Sequence, residues 1–171
     1  MTIEPIIESG MTFGPYREEY CFYIEKSQTY QKIQTGVKMA EFLLLRIQDK
    51  PIVLIIEAKS STPRIESQPN FDDFIREIRD KLSNALMLGV ATSLKRHSTW
   101  EELPTVFQTL DLSVASFRLI LVINVHQEAW LPPLQDAIKK ELHPMVQIWN
   151  LPPTAVVVMN DTIARSQGLI Q

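Results

Sequence analysis

Two apolar runs constrain this chain more than any other feature. Residues 52–56 read IVLII and residues 117–125 read FRLILVINV. A strand with one wet face alternates apolar and polar residues, whereas a run that stays apolar is covered on both faces. Between the runs, Phe71, Phe74, Ile75, Ile78, Leu82, Ala85, Leu86 and Gly89 recur at helical spacing. Asn70, followed by Asp72 and Asp73, supplies a predicted N-cap and a first-turn acid pair for a helix reaching about Ser93. Strand, long helix, strand is the order that makes parallel neighbours with a helix packed across them.

The pattern continues toward the C-terminus. Pro132 and Pro133 open a second predicted helix over 134–142, which Pro144 limits. Residues 155–159 (AVVVM) read as a last buried strand, and Asn160-Asp161 caps a short helix through Ser166, stopped by Gly168. Ahead of the first run, residues 20–26 (YCFYIEK) and 37–47 (VKMAEFLLLRI) read as strands, and 6–13 as a weaker one. Residues 94–116 specify no clear element. The expected class is therefore α/β with an α+β mixed sheet: an antiparallel N-terminal meander, then β-α-β-α-β, in a single domain spanning 1–171. An apolar fraction of 45% is enough for a core of that size.

Composition excludes several chemistries. Net charge is −3 with no block of like charge, so the bulk surface does not suit strong nucleic-acid binding. One cysteine rules out an internal disulfide framework and a cysteine-based zinc site. His97, His126 and His143 are widely spaced and form no paired metal motif. Only five glycines occur, none at phosphate-loop spacing. The acidic start MTIEPIIESG does not read as a signal peptide, and no run is long enough to span a membrane, so a cytoplasmic location is expected.

The chemistry concentrates where the first run ends. PIVLII passes straight into Glu57-Ala58-Lys59, although Glu and Lys are rarely buried without partners. Side chains alternate along a strand, so Glu57 and Lys59 share a face. If residues 48–50 form a three-residue hairpin loop, Ile47 pairs with Pro51 and Glu41 falls opposite Glu57. Directly opposed residues lie about 4.5–5.5 Å apart at Cβ, close enough for two carboxylates to hold one cation. Hard oxygen ligands suit Mg²⁺ or Mn²⁺, and the ammonium is equipped to orient a water or steady phosphate charge.

The stretch VKMAEFLLLRIQDKPIVLIIEAKSS resembles the core of the PD-(D/E)xK nuclease superfamily, the restriction-endonuclease-like fold. In that pattern an acid on one strand is followed by a turn, then by an apolar strand ending in (D/E)-x-K, then by a helix. Glu41 stands at the first acid, Glu57 at the second and Lys59 at the lysine, and the resemblance covers roughly residues 37–125. It implies Mg²⁺- or Mn²⁺-dependent hydrolysis of DNA, with Glu41 and Glu57 as metal ligands and Glu41, Glu57 and Lys59 as the catalytic set. RNA stays open as a substrate. Members often add an acid from an N-terminal helix. Glu18, Glu19 and Glu25 are candidates, although the strand read around Glu25 suits that role poorly. Lys81 and Asn84 on the long helix are further candidates.

Two features favour a rival expectation, a catalytically inactive nuclease-fold subunit acting by interaction. The overall charge is acidic, and the first acid is Glu41 after Ala40, where the family usually has Asp. Such a domain would work as a homodimer or with a protein partner. The resemblance also implies a setting in prokaryotic defence or mobile elements.

Overall fold

The computed structural model describes residues 1–171. A five-stranded mixed sheet forms its centre, with strands β3 (Cys21–Phe22), β4 (Phe42–Ile47), β5 (Pro51–Lys59), β6 (Ser116–Ile123) and β7 (Val156–Asn160) in that spatial order. Neighbours β3–β4 and β4–β5 are antiparallel, while β5–β6 and β6–β7 are parallel. A separate hairpin, β1 (Ile6–Glu8) and β2 (Met11–Phe13), precedes the sheet. The antiparallel start and the β-α-β-α-β continuation are thus both present.

Alternation along the strands sorts the core into two layers. Leu43, Leu45, Val53, Ile55, Leu119 and Leu121 face helices α2 (Asn70–Ser93) and α4 (Leu131–Ile148). Phe42, Leu44, Leu54, Ile56, Ile120 and Val122 face the β1–β2 hairpin and α5 (Asp161–Ser166). Helix α2 buries Phe71, Ile75, Ile78, Leu82, Ala85, Leu86 and Gly89, the stripe its sequence predicts. Each fully buried Leu or Ile contributes about 1.5–3 kcal/mol, so this stripe is a main fastening of the fold. A Cβ on Gly89 would lie 2.9 Å from the Leu43 Cδ1, which shows how closely helix and sheet approach there. No helix is long and apolar enough to cross a membrane.

Several expected elements differ. The strand expected over 20–26 is only Cys21–Phe22; a 3₁₀ turn over Ile24–Lys26 and helix α1 (Gln28–Ile33) replace the rest. The cause is local capping. The Ser27 side chain accepts the Tyr30 N–H at 3.0 Å, and the Glu102 carboxylate accepts the N–H groups of Gln28 and Thr29 at 2.8 Å each. The strand expected from Val37 starts only at Phe42. Helix α2 begins at Asn70 rather than being capped by it, because backbone carbonyls of Ser67 and Pro69 accept the Phe71 and Asp73 N–H groups. Helix α4 runs through Pro144 to Ile148. Pro144 is exposed, so the helix bond it cannot make is lost on the side open to solvent. The ambiguous 94–116 stretch holds a 3₁₀ turn at Trp100–Glu102 and the one-turn helix α3 (Thr105–Gln108).

At the open edge of the sheet, Gln135 of α4 reaches β7. Its amide donates to the Val156 carbonyl and accepts the Val158 N–H, each at 2.6 Å.

Candidate metal centre

The hairpin register holds as expected from Ile47↔Pro51 to Phe42↔Ile56, and one residue further it fails. Glu41 is a bend, and its N–H donates at 3.0 Å to the carbonyl of Ile56, the residue already opposite Phe42. Two residues of one strand thus oppose one of the other, the arrangement of a β-bulge, which re-aims a side chain. The direct Glu41–Glu57 cross-strand pair is not made.

The bend delivers Glu41 to other partners. Its carbonyl accepts the Glu25 N–H at 3.2 Å, tying it to the 3₁₀ turn over Ile24–Lys26. Glu8 arrives at the end of β1, where the Ser9-Gly10 turn reverses the chain with φ of 51° and 77°. Positive φ at both central positions is the geometry of a tight two-residue hairpin turn. One carboxylate oxygen from each of Glu8, Glu25 and Glu41 lies within 4.8 Å of the other two. The Tyr23 hydroxyl donates to Glu8. Glu41 is 5% exposed, and its Oε2 is buried with no hydrogen-bond partner.

Burial, then the charge of Glu57, then a hydrogen bond with Glu25 push the Glu41 pKa from 4.5 up to about 9. At neutral pH the cation-free cluster therefore holds a proton. Three carboxylates this close repel unless a proton or cation lies between them. Their all-oxygen donor set, with one orphaned buried oxygen, fits a hard divalent ion such as Mg²⁺ or Mn²⁺.

Glu57 is fully buried on β5 and has different company. Its Oε1 accepts from Lys81 Nζ of α2 at 2.8 Å and faces Lys59 Nζ at 3.5 Å, while its Oε2 has no partner. Burial raises its pKa, against the two lysines. Burial disfavours the Lys81 charge, but Glu57 outweighs this and the Lys81 pKa is raised. Lys59 also donates to Glu77 of α2 at 2.8 Å, and that hydrogen bond lowers the Glu77 pKa.

The expected trio Glu41, Glu57 and Lys59 thus lies at adjoining strand ends, in two linked subsets. Glu41 joins the carboxylate cluster, whereas Glu57 and Lys59 join an ion-pair network with Lys81 and Glu77. Glu25 enters the cluster from a turn rather than from a strand. Glu18 and Glu19 lie outside it, with Glu19 paired to Arg17. Asn84 instead donates to the Lys38 carbonyl at 2.9 Å. Sequence reasoning missed Glu8 and Glu77. The ESGM turn was the available signal for Glu8, and the four-residue spacing of Glu77 and Lys81 on α2 the signal for Glu77.

Comparison with family models, with curated proteins and with solved structures finds no match for this chain.

Proposed function

We propose that the chain is a divalent-metal-dependent nuclease with a restriction-endonuclease-like core resembling PD-(D/E)xK enzymes. The observation that carries this reading is the buried, unpaired Glu41 Oε2 within a set of three carboxylates, beside the Glu57-x-Lys59 strand end. The mixed sheet, with β5 leading into α2 and then β6, supports it as well.

Glu8, Glu25 and Glu41 would hold the ion, with Glu57 on its flank. A bound Mg²⁺ or Mn²⁺ supplies Lewis acidity toward a phosphate oxygen. Lys59, fixed between Glu57 and Glu77, provides a positive charge that orients the attacked phosphate and its incoming water. Lys81 balances Glu57, so that Lys59 is not the sole counter-charge of a buried acid. The substrate is DNA, with RNA as the comparison.

The test is cleavage of single- and double-stranded DNA and of RNA with Mg²⁺, Mn²⁺ or EDTA. Wild type should cut with the metals and stop in EDTA, while Glu41→Gln and Lys59→Ala should lose at least 100-fold. Equal cleavage by wild type and both variants removes the mechanism.

One observation favours the rival reading of an inactive interaction subunit. Glu57 already has two ammonium groups within 3.5 Å and needs no metal for charge balance. That reading expects no cleavage of any substrate and no change in melting temperature with Mg²⁺.

A further inference from the structure

A second feature lies beside the carboxylates but is built from different residues. A cavity of about 840 Å³ opens where β5 and β6 end, between the 60–67 loop and the 124–134 segment. The carboxyl ends of parallel strands are where open α/β sheets habitually bind ligands. The volume falls within the range of small-molecule sites.

The lining divides into two kinds. Part of it is apolar and aromatic, with Phe71, Leu134 and Trp130. The 60–67 loop adds Ser60, Ser61, Thr62 and Arg64, with Glu66 as the one acid. Trp130 is 55% exposed, which leaves much of a large ring open for stacking. The His126 ring supports it edge-on, with centroids 5.5 Å apart at 70°. His126 Nε2 is buried at the cavity and has no partner.

The wall is also held rigidly. Val125 has φ of 49° and is 83% exposed, a strained setting for a β-branched residue. The flanking bonds explain why it persists. Asn124 N–H donates to the Lys59 carbonyl at 2.9 Å, and Val125 N–H donates to Asp161 at 3.0 Å. Asn160 donates to the His126 carbonyl at 2.9 Å, and the Asn124 side chain donates to the Ser9 carbonyl at 3.1 Å. Four anchors fix the wall in advance, which reduces the ordering cost of binding.

We infer that this cavity binds a nucleotide, with its base stacked on Trp130, whose ring His126 supports, and its phosphate held by Arg64 and the Ser60–Thr62 hydroxyls. Aromatic stacking with an arginine and hydroxyls beside it is the chemistry that retains single-stranded or unpaired nucleotides. Pro63 lines both this cavity and the shallower recess that contains Glu77, the partner of Lys59. Resting on the nuclease reading, the nucleotide belongs to a strand whose next phosphate reaches Lys59. The binding itself does not require the carboxylates.

The experiment is equilibrium dialysis of labelled AMP against the whole protein in EDTA, with adenosine and inorganic phosphate as competitors. Wild type should bind AMP saturably, Trp130→Leu and His126→Ala should each bind at least 10-fold more weakly, and Glu41→Gln should bind as wild type does. Arg64→Ala should weaken AMP and leave adenosine unchanged. Trp130 and Arg64 are exposed, so unchanged melting temperatures verify that those two variants fold. Absence of saturable AMP binding, or binding indifferent to Trp130→Leu, overturns the inference. So does displacement of AMP by inorganic phosphate but not by adenosine. Absence of cleavage by a protein that binds AMP would sink the nuclease reading and leave the nucleotide site standing.

Discussion

Glu41→Gln tests the cluster without any substrate. In the folded, cation-free protein the Glu41 pKa is raised from 4.5 to about 9. Between those values the folded state keeps a proton that the unfolded chain has released. The stability this group contributes is therefore fully present below about pH 4.5 and is lost as pH rises toward 9, by about 1.4 kcal/mol per pH unit. From pH 5 to pH 8 that contribution falls by about 4 kcal/mol, large against a typical domain's stability. Glutamine does not titrate, so it should cut this slope by at least half; buried Glu57 supplies the remainder. A divalent ion must expel the proton in order to bind, so its effect should grow from pH 6 to pH 8 in wild type and be weak in Glu41→Gln. At a hundredfold excess over its dissociation constant the ion adds about 2.7 kcal/mol. Urea denaturation across pH 5–9, with Mg²⁺ or EDTA, reads both effects. Parallel pH slopes in the two proteins, or an equal Mg²⁺ response, would refute the reasoning.

Lys81→Met leaves buried Glu57 with only the longer Lys59 contact, and at pH 8 it should cost roughly 3 kcal/mol by urea denaturation. Adding Glu57→Gln to that variant should recover at least half of the loss. Glu77→Gln breaks a partly exposed pair, so its cost should stay below about 1 kcal/mol, while cleavage falls because Lys59 loses its holder. Leu82→Ala empties a fully buried position between α2 and the sheet and should cost about 2–5 kcal/mol, measured by the same denaturation.

The central sheet was legible because its strands are apolar at nearly every position and α2 carries an unmistakable stripe. The β4–β5 register was legible because a three-residue loop leaves little freedom. The site was only half legible, and the limit was a single backbone bend. Strand alternation carries Glu41 toward Glu57, but nothing in AEFLLL announces that the ladder stops at Phe42. The Glu25 turn was hidden in a similar way. YCFYIEK alternates like a strand, whereas the deciding interactions are a Ser27 cap and the distant Glu102 carboxylate. Pro144 misled in the opposite sense, because a proline on the exposed side of a packed helix removes a bond only where solvent has access.

Gln135 has a consequence for how copies of this chain treat one another. With β3 only two residues long, β7 is the longer open edge of the central sheet. Open edges invite strands from other molecules to add on. By occupying the Val156 carbonyl and the Val158 N–H, the Gln135 amide stands in for the absent neighbouring strand with one side chain. Along that part of the edge one side chain on a helix takes the two backbone groups that an added strand would need.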